Sequence, residues 1–328
     1  MRWLLAPLSL LFGILVTFRT LLYRFGWRRS SRLPVPVVVV GNISVGGAGK
    51  TPLTLALVKW LQDAGYRPGI ISRGYGGRTR HPMPVMADSD PGLVGDEPVL
   101  LALRSRCPVW VARERVEAGR RLLVFHPEVD VLVADDGLQH YALARDFEVA
   151  VVDGQRGLGN GWLLPAGPLR ESARRLRQVD AVVLNGGGPS RPPLQGRTFG
   201  MNLRGERFRN LLDPARVVSA AELGPGPLHA LAAIGHPQRF FDHLSGLGIA
   251  CVPHPFPDHH VYTGEDLPSG TLLMTEKDAV KISTLAAEQG LEDCWVLAVD
   301  AELEPELKGL MLATLNELRG LNHGPQAA

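Results

Sequence analysis

Not one aspartate or glutamate occurs before Asp63. The opening of the chain therefore carries arginine with no acidic partner close in sequence. Cysteine is scarce: Cys107, Cys251 and Cys294 are far apart and form no CxxC pair. That excludes a disulfide framework or a zinc knuckle and fits a reducing cytosol. A strong charge of either sign is also missing. Thirty-five Lys and Arg against 33 Asp and Glu leave a formal charge of +2, so nucleic acid is not expected as a partner. No internal repeat and no low-complexity tract is present. At 328 residues and 45% apolar, the chain is long enough for one large or two modest globular domains.

The longest uncharged apolar run is at the start. "WLLAPLSLLFGILVTF" (Trp3 to Phe18) lies between Arg2 and Arg19 and contains Pro7 and Gly13. Sixteen residues are short of the roughly 20 that a helical span needs. "RTLLYRFGWRRSSR" then supplies Arg19, Arg24, Arg28, Arg29 and Arg32, with Tyr23 and Trp27 suited to a headgroup region. The segment reads as a membrane anchor over residues 1–25; whether it spans or lies in the interface is open, its shortness and Pro7 favouring a monotopic anchor, with its arginines on the cytosolic, anionic side either way. A buried core helix and a signal peptide are the competing readings. Against the latter, no small-x-small cleavage site follows.

From Pro34 onward, strand, loop and helix alternate. "PVVVVG", "VDVLVADD", "FEVAVVDG" and "VDAVVLN" are continuous apolar runs, as in strands buried on both faces. "TPLTLALVKWLQDAG", "GDEPVLLALRSR" and "RERVEAGRRLLVFH" read as helices. The pattern predicts an α/β fold with a mostly parallel sheet and helices on both faces. A turn-rich stretch from Gly186 to Pro227 separates a nucleotide-binding core (residues 26–205) from a smaller α/β lobe (206–328). The last helix, near 305–318, is compatible with packing on either.

"GNISVGGAGKTP" follows the first strand and opens a helix. Gly49, Lys50 and Thr51 match the end of a P-loop, whose backbone N–H groups cradle phosphates, whose lysine reaches them and whose hydroxyl binds Mg²⁺. The usual first glycine is Ser44. Val45, Gly46, Gly47 and Ala48 complete the loop, and Pro52 fits the first helical turn. The deviant loop of dimeric switch ATPases would carry lysine where Val45 stands. No [NT]-K-x-D base-reading motif occurs, which favours ATP over GTP. Asp135 and Asp136, at the end of "VDVLVADD", are adjacent carboxylates that a cation would stabilise, the pattern of an Mg²⁺-binding strand end.

Phosphoryl transfer also needs a base near the acceptor. Asp96 and Glu97 in "GLVGDEPVLL", and Asp258, His259 and His260 in "HPFPDHHVYT", are candidates. Asp96 as a helix cap, and a metal cluster with His254 and Cys251, are the other readings of these residues. A P-loop ATPase coupled to a partner and a nucleotide-dependent binding switch are the alternative functions.

Taken in order, "VVVVGNISVGGAGKTP", "ISRGYGG", "VGDEPVLLA", "VADDGLQH", "DGQRGLGNGWLLPAGPLRE", "AAIGHPQRFF", "FPDHHVYT" and "TEKDAVK" resemble the tetraacyldisaccharide 4'-kinase family over about residues 37–281. The resemblance implies transfer of the ATP γ-phosphate to the 4'-hydroxyl of a lipid A disaccharide 1-phosphate at the cytoplasmic face of a bacterial inner membrane. It implies that Lys50 and Thr51 handle phosphate and Mg²⁺, that Asp135 and Asp136 hold or orient the metal, and that Asp96 pairs with His259 as base. Arg170, His140, Arg73 and Arg115 are implied as substrate or phosphate contacts. Beyond substrate and membrane surface, no obligate protein partner is indicated.

Overall fold

The structure, a computed structural model, describes residues 2–187, 194, 196–224 and 226–322. Part of the turn-rich stretch, residues 188–193, 195 and 225, lies outside the described residues. In chain order come α1 (Arg2–Arg24), β1 (Val37–Gly41), α2 (Lys50–Asp63), β2 (Pro68–Ser72), β3 (Met83–Val85), α3 (Pro91–Val94), α4 (Asp96–Ser105) and β4 (Val109–Val111). Then follow α5 (Arg115–Phe125), β5 (Val131–Ala134), β6 (Phe147–Asp153), β7 (Ala181–Asn185) and β8 (Thr198–Arg204). The remainder is β9 (Arg207–Asn210), β10 (Val217–Ser219), β11 (Leu228–Ala232), α6 (Pro237–Gly246), β12 (Val252–Pro255), β13 (Thr271–Thr275), α7 (Glu276–Gln289), β14 (Cys294–Leu297), β15 (Asp300–Leu303) and α8 (Pro305–Asn322).

Two sheets result. The larger has the order β15-β8-β7-β6-β1-β5-β2-β4-β3, antiparallel only at its two edges. Strand β1 is buried along its whole length because helices cover both faces. Val38 and Val40 meet Leu53, Leu57 and Leu61 of α2 and Leu101 of α4. Val37 and Val39 face the opposite way, into the core with Val116, Ala118 and Leu122 of α5. The alternation follows directly from the two-residue period of a strand. The fold is thus the α/β architecture, mostly parallel with two covered faces, that the apolar runs predict.

The smaller sheet has the order β10-β9-β14-β13-β11-β12 and draws on residues 207–297. We take the two sheets as two lobes. The turn-rich stretch is more ordered than its composition indicates: β8 pairs parallel to β7, and β9 and β10 form a hairpin in the second sheet. After β14 the chain goes back. Strand β15 pairs with β8, and α8 lays Leu307, Met311 and Leu315, all fully buried, on the first core. Those three recur every fourth residue, one helical face.

Strand β1 is also where the connections diverge, with β5 on one side and β6 on the other. Loops leaving the C-terminal ends of these strands open a crevice, the usual ligand position in open α/β sheets.

Helix α1 runs unbroken through Pro7 and Gly13 to Arg24, longer than the uncharged run alone. At 1.5 Å per residue that is about 34 Å. Its Leu4–Arg24 portion has a mean hydropathy of 1.9 and is long and apolar enough to cross a membrane. Leu4, Leu8, Leu11, Leu15 and Phe18 are exposed. One side is docked. Ser9 Oγ donates to Leu163 O at 2.7 Å, and Arg19 donates to Gln139 O at 3.2 Å. A Cβ on Gly13 would lie 2.8 Å from Leu163 Cδ1, so the glycine permits the approach.

The lobes are clasped by α4 against α7. Arg104 of α4 is ion-paired with Glu276 at the start of α7 and, at 2.5 Å, with Asp300 of β15. Glu276 is largely buried, so removing its partner strands a carboxylate. Arg104→Met is expected to lower unfolding free energy by about 3–5 kcal/mol. The double variant Arg104→Met/Glu276→Met should recover most of the loss in denaturant unfolding. Equal stability of Arg104→Met and the parent would contradict the clasp.

Candidate active site

The phosphate loop is shaped before any ligand arrives. Its first half is tied to the 168–169 segment: Val45 N donates to Pro168 O at 2.8 Å, and Ser44 bridges Leu169. Gly49 has φ +93°, and a Cβ there would come within 2.4 Å of Asn185 Nδ2. Only glycine fits. Lys50 and Thr51 then begin α2, with Pro52 in its first turn.

The Lys50 ammonium lies 3.4 Å from Asp136 Oδ1, and Arg170 lies 3.4 Å from Asp136 Oδ2. Burial pushes the Asp136 carboxyl up, but Lys50, Arg170 and Arg115 outweigh it and hold it below the usual carboxylate range. Asp135 is the opposite. It is 1% exposed, with Oδ1 accepting from Thr54 Oγ1 at 3.1 Å and Oδ2 buried with no hydrogen-bond partner. Burial, then the charges of Glu97 and Asp136, raise its pKa. A buried carboxylate oxygen without a donor, beside a second carboxylate, is the environment a hard divalent cation relieves. Asp136 also has φ +47°, rare for a residue with a side chain.

Across the crevice, His259 of the second lobe meets Asp96 of the first. Nδ1 lies 3.1 Å from Asp96 Oδ2. Burial raises the Asp96 pKa, but the His259 hydrogen bond and the Lys277 charge lower it more, so it stays ionised. An ionised carboxylate only accepts, so Nδ1 carries the proton and Nε2 is left as the acceptor of a neutral ring. The Asp96 hydrogen bond, offset in part by burial and Lys277, holds the His259 pKa above its ordinary value. His259 too has positive φ, +61°, and its ring lies against Tyr75 with centroids 5.1 Å apart. Such backbone strain concentrates at functional sites. His260 points elsewhere: Nε2 is 3.2 Å from Asp266 Oδ2 and the ring stacks on Phe256. His254 Nε2 lies 3.0 Å from His229 Nδ1.

Lys277, at the start of α7, is 3.0 Å from Asp258, 3.3 Å from Glu97 and 3.8 Å from Asp96. Its pKa is lowered by burial but raised further by these three carboxylates, so it remains a fixed positive charge between the lobes.

The structure brings Lys50, Asp135, Asp136 and Arg170 into one charged group and pairs Asp96 with His259. Arg115 is buried and donates to the Asp135 and Asp136 carbonyls, the latter at 2.5 Å, shaping the turn from behind. Arg73 is exposed at the rim. His140 is pushed down to about 4 by burial and by Arg115, Arg145, Arg19 and Arg73, so it is neutral. Among the described residues no group of three His, Cys, Asp or Glu side chains converges as a metal cage. Asp135 and Asp136 offer two. Thr54, Tyr75 and Lys277 were outside the sequence reading. Lys277 is in the quoted "TEKDAVK", but its partners are about 180 and 19 positions away.

A glycine-rich loop opening α2, a lysine on it, and an acidic strand end on a mostly parallel sheet define a P-loop NTPase-type protein. Residues 1–316 match the family model for tetraacyldisaccharide-1-P 4'-kinase, LpxK, and the chain belongs to that family. It is 51% identical to the tetraacyldisaccharide 4'-kinase of Chromobacterium violaceum over 324 residues, covering 97% of this chain and 95% of that protein. To the enzyme of the same name from an Azoarcus species it is 52% identical over 304 residues, covering 92% and 88%. Among solved structures it is similar to the "apo" form of LpxK from Aquifex aeolicus in complex with ATP. The TM-score is 0.80 at 31% identity, with 96% of this chain and 99% of that one covered.

Proposed function

We infer that the chain is a kinase that transfers the γ-phosphoryl group of ATP to the 4'-hydroxyl of a lipid A disaccharide 1-phosphate. The observation that carries this beyond family membership is the Asp96–His259 pair, set by one lobe against the other. It is a base oriented for a hydroxyl, which simple nucleotide binding does not require.

Amides of residues 46–51 and Lys50 take the β- and γ-phosphates. His259 Nε2 accepts the 4'-hydroxyl proton as that oxygen bonds to the γ-phosphorus. The bond from phosphorus to the bridging oxygen breaks, and ADP leaves with the electron pair. Asp96 orients the ring and stabilises the imidazolium that forms. Asp135, Asp136 and Thr51 would hold Mg²⁺, which supplies charge neutralisation on the phosphates. Arg170 faces the same charges. His140 and Arg73 are the further contacts proposed for an anionic acceptor, and Arg115 keeps the acidic turn in shape.

Helix α1 supports a lipid acceptor. Between it and residues 160–163 lies a groove of about 700 Å³ lined by Leu10, Gly13, Ile14, Phe18 and Leu163, among others. Its exposed leucines and the following arginines suit the cytoplasmic surface of an inner membrane with anionic lipid.

Purified protein with Mg-ATP and a lipid A disaccharide 1-phosphate should yield a product heavier by one phosphate. Phosphate release that ignores the acceptor would instead favour a partner-coupled ATPase. His259→Ala is expected to lower kcat by about 10²–10⁴-fold with ATP affinity little changed; an unaffected kcat would remove His259 from the mechanism.

The pH dependence has a definite sign. Activity needs neutral His259, so it falls as pH drops through the raised His259 pKa, an acid limb lying above that of an ordinary histidine. Asp96→Asn removes the chief raising contact and should move that limb to lower pH while reducing the plateau. A limb that stays in place would speak against the pair. Deleting residues 1–25 should impair phosphorylation of acceptor held in bilayers, and full activity of the truncated protein on native membranes would argue against an anchor.

A further inference from the structure

In a planar peptide the carbonyl of one residue and the N–H of the next point in opposite directions. A phosphate loop can therefore aim its N–H groups inward only if the preceding carbonyls are turned outward and held there. Three consecutive carbonyls of this loop are held by side chains from three different places. Asn42 Nδ2 donates to Gly46 O at 3.3 Å, Arg156 Nη2 to Gly47 O at 2.7 Å, and Asn185 Nδ2 to Ala48 O at 3.0 Å. Asn42 follows β1, Arg156 follows β6, and Asn185 ends β7.

Arg156 differs from the two asparagines because its guanidinium is shared. Its Nε donates to Asp153 Oδ2 at 3.2 Å. Asp153 is 2% exposed and accepts from the backbone N–H of Gln155 and Arg156 at 2.9 and 3.0 Å. The same carboxylate takes a two-pronged contact from Arg239 of α6, in the second lobe. Nη1 lies 3.1 Å from Oδ2, and Nη2 lies 3.1 Å from Oδ1. Arg239 Nε also donates to Gln155 Oε1 at 3.3 Å. A planar guanidinium on a carboxylate in this geometry fixes direction as well as charge. Just before α6, Gly235 presses on the loop itself: a Cβ there would lie 2.7 Å from Gly47 N.

We propose that Arg239, Asp153 and Arg156 form a relay through which the seating of the second lobe sets the shape of the phosphate loop, making Arg156 and Arg239 positioning residues for nucleotide binding. The lobe that carries His259 thereby also reports its position to the loop that holds the triphosphate. The proposal rests on the reading that residues 44–51 bind a nucleoside triphosphate.

The test is a double-mutant cycle on the full-length protein in detergent, reading the Kd of a fluorescent non-hydrolysable ATP analogue with Mg²⁺. Arg156→Met should weaken binding about tenfold, the scale of one charge-assisted hydrogen bond. Arg239→Met should weaken it several-fold although it touches no atom of the loop. The double variant should be no worse than Arg156→Met alone, because the two act through one carboxylate. Arg239→Lys, which keeps the charge but not the fork, should fall between parent and Arg239→Met. It also serves as the readout if the methionine variant does not fold. KM for the acceptor should not change in Arg156→Met, which separates positioning from general destabilisation. Effects that multiply, or an unaltered Kd in Arg156→Met, overturn the relay. A parent that binds no analogue, or a Lys50→Ala variant that binds it as well as the parent, overturns the nucleotide reading together with the relay.

Discussion

A carboxylate of one lobe and an imidazole of the other, 3.1 Å apart, join the two halves of this molecule at the place where, on the proposed mechanism, a proton moves. Neither group is useful alone. Asp96 without a donor would be a buried charge at the start of α4. His259 without an acceptor on Nδ1 would have no preferred tautomer. The pair exists only if the second sheet is seated on the first, so the packing of α4 on α7 and the return of β15 and α8 to the first sheet all bear on this contact. Seating also places Lys277 among Asp96, Glu97 and Asp258, where it offsets a concentration of negative charge that would otherwise push the lobes apart.

The second constraint is electrostatic. The crevice gathers Asp96, Glu97, Asp135, Asp136 and Asp258, and on the functional reading it must then admit a triphosphate. Lys50 and Arg170 compensate one carboxylate, Asp136. Asp135 is left with a buried oxygen and a raised pKa. Such a site is incomplete by design. On the proposed function, a metal ion arriving with the phosphates would supply the missing positive charge, so nucleotide and metal binding would depend on each other.

Features encoded within a few residues were legible from sequence: the buried strands, the helix after the glycine loop, the acidic strand end and the long apolar helix. Each rests on a local period or a local turn. Pro7 and Gly13 interrupt the uncharged run from Trp3 to Phe18, which by itself is short for a span, although residues 1–25 read as one anchor. In the structure the helix continues, and Gly13 makes room for Leu163. The stretch from Gly186 to Pro227 looks like a break because it is rich in Gly and Pro and its strands are partly exposed, while the partners β7 and β14 lie outside it. Asp96 and His259 are 163 positions apart, and no local rule joins them; the resemblance did. Arg104, Arg156, Arg239 and Lys277 went unread as partners for a related reason. An arginine or lysine on a helix face or in a turn is ordinarily solvated, and only the fold reveals a carboxylate opposite it.

The docking of α1 completes the physical picture. A free apolar helix could meet a bilayer at any angle to the domain that follows it. This one is held along its length, at Ser9, Gly13 and Arg19, to loops that leave the same sheet edge as Asp135 and the phosphate loop. Leu4, Leu8, Leu11 and Leu15 are exposed and stand outside the groove that the helix forms with residues 160–163. Burying them in lipid therefore sets the domain's orientation as well as its location. On the proposed function, the loops that carry Asp135 and the phosphates are then held near the lipid, where an acceptor whose acyl chains stay in the bilayer would be met.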